Sequence, residues 1–177
     1  MATLQNSKAD RKMKQIRRQL TLFLDDHYST EIETIRRKYN PVQYKLIRSH
    51  ITLCREDELE NLAQIKLNLS LLDEDSISIN FDRLIRSADQ NGVMIGAKHD
   101  NHQYHHLRQV ILKGCDLPIT FPDPHITLMH PRNSICTDEI FNEIRKIKIP
   151  ESILFKEISL IQQTDGSEWK ILETFQM

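Results

Sequence analysis

The tetrapeptide His-Ile-Thr-Leu occurs twice, at His50–Leu53 and at His125–Leu128, 75 residues apart. On an extended chain alternate side chains share a face, about 6.5 to 7 Å apart, so each copy sets a His and a Thr on one side and Ile and Leu on the other. A repeated tetrapeptide alone can arise by accident. Its contents and surroundings raise it, because each copy opens with the side chain best suited to exchange a proton near neutral pH, and each is followed by a helical pattern. The chain therefore reads as two diverged half-copies, with Ile51, Leu53, Ile126 and Leu128 turned to a core and the two His-Thr pairs turned to a cleft.

The surrounding pattern supplies the elements. Residues 18–24 alternate, with Leu20, Leu22 and Leu24 on one face, as in a half-buried strand. Thr30 and Glu33 make a capping box, and Ile32, Ile35 and Tyr39 recur at helical spacing until Pro41. After the strand at 50–54, Leu59, Leu62, Ala63 and Leu69 form a stripe behind Asp57, Glu58 and Glu60, acidic residues suited to a helix start. Ile77, Ile79 and Phe81 and then Val93, Ile95 and Ala97 alternate about Asn91-Gly92, which predicts an antiparallel hairpin. Tyr104, Leu107, Val110 and Ile111 predict a helix stopped near Gly114, and Thr137 caps a last helix through Ile140, Phe141, Ile144 and Ile147. A closing hairpin is expected from strands at 152–162 and 168–175 about Thr164-Asp165-Gly166-Ser167. The expected fold is α+β: a bilobed duplication with two mainly antiparallel sheets facing a central cleft and helices outside.

Composition bounds the alternatives. A chain of 177 residues is one domain, expected to span 18–177 behind a basic arm at 1–17. Across residues 1–18, Lys8, Arg11, Lys12, Lys14, Arg17 and Arg18 oppose Asp10 alone, which suits a solvated helical arm or a handle for an anionic partner. A net charge of -1 gives no global field to hold a nucleic-acid duplex, so an RNA partner must be met locally. No apolar run reaches the roughly 18 residues of a membrane helix, and no secretory segment is evident, so a cytoplasmic protein without a membrane partner is expected. Cys54, Cys115 and Cys136 contain no CxxC pair and read as packing thiols. Cys54 shares the parity of His50 and Thr52, yet no base accompanies it.

Two imidazoles and two hydroxyls across a cleft suit phosphodiester chemistry. In-line displacement at phosphorus needs a base at the attacking oxygen, an acid at the leaving oxygen and donors on the oxygens between. His50 and His125, with Thr52 and Thr127, provide these without a cofactor or metal. Taken singly, each His is as readily an ordinary strand-end residue. His99, His102, His105 and His106 offer an i, i+4 pair for a metal but lack a carboxylate or thiolate complement, so a solvated helix start is the plainer reading. No GxxxxGK[ST] loop is present, which argues against a nucleotide-driven ligase.

These residues resemble the 2H phosphoesterase superfamily, named for two HxTx motifs and including 2′-5′ RNA ligase and cyclic phosphodiesterase proteins. The resemblance implies His50 and His125 as acid and base and Thr52 and Thr127 as phosphate ligands. It also implies an RNA end or small cyclic nucleotide as substrate, opened to a 2′-phosphomonoester, with ATP-free 2′-5′ ligation as the reverse reaction. Some relatives carry Arg five residues after the motif His. Here Arg55 and His130 occupy those positions, with Arg132 two further on. Strand parity turns Arg55 and His130 away from the catalytic face unless the strand ends or bulges, so both stand, with Arg132, as candidate substrate contacts. Tyr44 and Phe23 are candidate base-stacking rings, Phe23 being the better suited to core packing. The remaining alternatives are a phosphodiesterase for 2′-5′-linked oligonucleotides, a non-catalytic RNA-end or nucleotide-binding module, and a His-rich metal protein. A monomer and a bell-shaped pH profile around neutrality are expected.

Overall fold

The computed structural model describes residues 14–118 and 120–177. Its elements run β1 (Ile16–Phe23), α1 (Asp26–Tyr39), α2 (Pro41–Leu46), β2 (His50–Cys54), α3 (Leu62–Ser70), β3 (Ile77–Arg86), β4 (Val93–Ala97), α4 (His102–Ile111), β5 (His125–Met129), α5 (Asp138–Ile144), β6 (Ser152–Phe155), β7 (Glu157–Thr164) and β8 (Lys170–Gln176). Two four-stranded antiparallel sheets result, in the orders β2-β1-β7-β8 and β5-β4-β3-β6. The fold is α+β, as the sequence pattern implies. No described helix is long and apolar enough to cross a membrane.

The duplication is visible in the pairing. In each half a strand leads through helix to a His-Ile-Thr-Leu strand that pairs back antiparallel on it: β2 on β1, with Phe23 opposite His50, and β5 on β4, with Gly96 opposite His125. Both motif strands lie at sheet edges and touch each other. Ile51, Leu53, Ile126 and Leu128 are fully buried, as alternation requires. Each such side chain contributes roughly 1.5 to 3 kcal/mol by leaving water, so a one-residue slip of either strand would cost the core two anchors. Helix α1 packs against β5, while α4 packs against β3 and β2, so each helix bridges to the other half's motif strand.

Several boundaries differ from expectation, each for a physical reason. Helix α1 is capped by Asp25, whose carboxylate accepts from the Tyr28 N–H at 3.2 Å; Thr30 lies inside the helix and its hydroxyl donates back to the Asp26 carbonyl. Glu33 is thereby free for a tertiary role. Pro41 does end α1, but it also opens α2, where its missing N–H costs nothing. In the third helix Ile65 and Leu69 are buried and Ala63 is exposed, because Asn61 caps a start later than the acidic cluster, which instead forms a 3-10 turn at Glu56–Glu58. The expected strand at 152–162 is two strands divided at Lys156: β6 joins β3 in one sheet and β7 joins β1 in the other. In the β3–β4 turn the left-handed residue is Gln90, not Asn91 or Gly92. Strand β1 starts at Ile16, and residues 1–13 of the basic arm lie outside the described residues.

Candidate active site

The two motif strands bring their polar faces to one cleft of about 330 Å³, lined among others by His50, Thr52, His125, Thr127, His130 and Arg132. Four of these come from the paired motifs and two from the turn after the second. A larger groove of about 720 Å³ between His27–Ile32 and Ile147–Ser152 holds one histidine, His27, and no residue of either motif. His50, Thr52 and Thr127 are half-buried and His125 is exposed.

Both motif imidazoles are oriented in the same way. His50 Nδ1 lies 2.7 Å from the Arg48 carbonyl and His125 Nδ1 lies 3.2 Å from the Asp123 carbonyl, the oxygen two residues before the ring in each case. A carbonyl only accepts, so each Nδ1 carries the proton and each Nε2 is left for other partners. In the neutral ring that nitrogen is a base; in the charged ring it is an acid.

The two rings sit in different fields. Burial pushes the His50 pKa down from 6.5 to about 4, and the positive charge of Arg36 and the neighbouring His125 add to it, against the hydrogen bond to Arg48. Arg36 is itself 1% exposed and lines the cleft. Its guanidinium donates to both oxygens of Glu33 at 2.8 Å and to the Ile47 carbonyl at 2.7 Å, while Glu33 also accepts from the Ser49 N–H. That network fixes the backbone immediately before His50. Beyond the ring, Tyr104 donates to the Thr52 carbonyl at 2.9 Å, and Arg108, paired with Glu58, donates to the Leu53 carbonyl.

The remaining sequence candidates are placed unevenly. His130 and Arg132 enter the cleft because β5 ends at Met129 and its pairing with β4 slips a residue between Val93 and Met94, which reverses the parity expected of an unbroken strand. Arg55 is exposed beside Asp57 at 3.5 Å, and Tyr44 is exposed on α2; neither lines the cleft. Phe23 packs edge-on to His50, with centroids 6.0 Å apart, and the Arg48 guanidinium covers its ring at 4.7 Å. Cys54 is fully buried and its thiol is pushed up to about 12, chiefly by burial, so it packs as expected. His105 stacks edge-on to Phe121, and His106 approaches Glu74 at 3.5 Å. Among the described residues no group of three or more His, Cys, Asp or Glu is arranged to hold a metal ion.

Sequence reasoning missed Arg17, Gln19, Arg36, Gln43, Asn133, Gln163 and Trp169, all of which line the cleft. Parity alone offered a signal for Gln19 and Arg17, which share the strand face of Thr21. Trp169 reaches the site through a long-range bond, its N–H donating to the Leu46 carbonyl at 2.9 Å, with Arg17 over its ring at 5.4 Å.

A two-lobed α+β fold with paired His-Thr strands around one cleft defines a class of protein, and comparison places the chain in it. Residues 24–167 match the family model of the 2'-5' RNA ligase superfamily, and the chain belongs to that family. No curated protein matches it in sequence. Among solved structures, Escherichia coli LigT complexed with 3'-AMP is similar at 17% identity and a TM-score of 0.60, covering 91% of this chain and 97% of LigT. LigT complexed with ATP is similar at 17% identity and a TM-score of 0.58, covering 91% and 96%. A protein described as a phosphoesterase is similar at 16% identity and a TM-score of 0.60, covering 92% and 99%. At such identities these likenesses establish the fold, and the family match makes the chain an enzyme of phosphoesterase type.

Proposed function

We propose that this protein is a phosphodiesterase that opens 2′,3′-cyclic phosphates, on RNA ends or nucleotides, to 2′-phosphomonoesters. The observation that supports it is the convergence of His50 and His125 on one cleft with both Nδ1 atoms committed to backbone carbonyls. His50, held neutral by burial and by Arg36, is the proton acceptor. Water attacks phosphorus and gives its proton to His50 Nε2, the bond from phosphorus to the ribose 3′ oxygen breaks, and His125 Nε2 protonates that oxygen. Thr52 and Thr127 hydroxyls donate to the phosphate oxygens. Both proton transfers are then made by side chains of this chain, and a 5′ hydroxyl attacking in place of water would be joined to the same phosphorus through a 2′-5′ linkage without ATP.

The test is turnover of 2′,3′-cyclic nucleotides, cyclic-phosphate RNA ends and 2′-5′-linked oligoadenylates in EDTA, with product regiochemistry read by NMR. Metal-free conversion of a cyclic phosphate to the 2′ monoester is expected. Turnover confined to 2′-5′ linkages would replace the substrate, and binding without turnover would leave only a nucleotide-binding module.

A further inference from the structure

The cleft holds a third histidine whose hydrogen bonding is opposite to that of the other two. His130 Nδ1 lies 3.2 Å from the Arg132 backbone nitrogen. A backbone N–H only donates, so Nδ1 is the acceptor here and carries no proton, and the neutral ring bears its single proton on Nε2. The ring is half-buried in the cleft. Its backbone is pinned on the carbonyl side, where the His130 oxygen accepts from the Asn133 N–H at 2.9 Å and from the Ser134 hydroxyl at 2.7 Å. Pro131 follows directly and restricts His130 to extended backbone. Gly92 makes room for that proline: a Cβ there would stand 2.9 Å from Pro131 Cδ and 3.2 Å from the Met129 carbonyl, so the turn that carries His130 is built into the packing.

We propose that His130 is a fixed neutral hydrogen-bond donor to the substrate phosphate, its Nε2–H serving the charge that develops on a phosphoryl oxygen and its ring taking no part in proton transfer. The proposal rests on the phosphodiesterase reading above and adds to it a donor that neither motif contains. Burial first, and then the positive charges of Arg132 on its own turn and Arg17 from β1, oppose protonation of the ring, and the His130 pKa lies below its ordinary value. His50 and His125 line the same cleft, and Glu56, the carboxylate near Arg17, is held by that guanidinium at 2.7 Å. A ring that stays neutral while bound to an anion donates without competing for the proton that His50 and His125 exchange. In water-poor sites such donors are worth about 10² to 10³ in rate.

The tautomer is tested without reference to activity. In 15N-histidine NMR of the full chain between pH 6 and 8, His130 should show the Nε2–H tautomer while His50, in its neutral form, shows Nδ1–H, and inorganic phosphate should shift the His130 Nε2 resonance. An Nδ1–H tautomer at His130, or no response to saturating phosphate, overturns the proposal whatever the enzyme turns over. If a cyclic phosphate is turned over, His130→Ala should lower kcat by about 10² to 10³ at every pH without moving the limbs of the profile, and His130→Gln, which keeps a donor, should recover at least tenfold of it. A limb that disappears in His130→Ala would make the residue an acid or base and overturn the donor role. So would a His130→Ala rate within threefold of wild type. Absence of turnover by the wild-type protein on every substrate contradicts the phosphodiesterase reading and leaves the NMR result to decide the donor.

Discussion

The two His-Ile-Thr-Leu strands have the same letters, the same edge position and the same bond from ring Nδ1 to the carbonyl two residues back, yet they are braced very differently. The edge of β2 and the segment leading into it are satisfied by side-chain donors from α1 and α4: Arg36 holds Ile47 before the strand, while Tyr104 holds Thr52 and Arg108 holds Leu53 within it. Two buried Arg–Glu pairs stand behind these contacts. On β5 the corresponding support is the Asn40 amide, donating to the Leu128 carbonyl at 3.4 Å. His50 is accordingly half-buried beside a guanidinium, and His125 is exposed. Identical motifs acquire distinct surroundings, and under the proposed mechanism that difference lets two like groups serve opposite ends of one displacement.

The largest effect expected of breaking this comparison is catalytic. His50→Ala and His125→Ala should each lower turnover by about 10² to 10⁴ with the circular dichroism of the protein unchanged; near-normal turnover in either would remove that ring from the reaction. The next is structural and falls on one half. Glu58→Ala leaves the Arg108 charge buried and uncompensated and should cost about 3 to 5 kcal/mol in urea unfolding, whereas Asn40→Ala should cost about 1 kcal/mol. Equal losses would mean the two strands are braced alike. Thr52→Val and Thr127→Val should each lower kcat by roughly 5- to 150-fold, the cost of leaving a buried polar partner without its hydrogen bond.

A smaller but more diagnostic effect is in pH. The acid limb of kcat/KM, which reports the free enzyme, should fall near pH 4, where His50 gains its proton, well below the neutral profile that the motif alone suggests. Stability moves the same way. Because His50 titrates at 6.5 when unfolded and at about 4 when folded, the unfolded chain binds the extra proton between those values, and stability falls as pH drops from 6.5 to 4. His50→Gln should flatten that part of the curve; an unchanged slope would assign the acid sensitivity elsewhere.

Much of this frame is legible in the residues. The strand expected at 50–54 coincides with β2 to the residue, the second motif opens β5, Gly114 with its positive φ follows the end of α4, and Thr137 caps α5. These are local signals, read within one turn or one strand. What escaped depends on distant partners. Lys156 divides two strands because their pairing partners lie in different sheets, and Glu33 leaves a capping role because Arg36 and Ser49 claim it. Trp169 and Gln43 join the site only when the β7–β8 turn docks beside α2. The contrast between His50 and His125 is the clearest case, since nothing within either tetrapeptide distinguishes them.

The most direct test of the whole account is a crystal structure of the protein with a nucleoside 2′-monophosphate. Nε2 of His50 and Nε2 of His125 should each lie within about 2.6 to 3.2 Å of different oxygens on the same phosphorus, the reach that proton transfer requires. A phosphate held by one ring alone, or seated outside the cleft between β2 and β5, would contradict it.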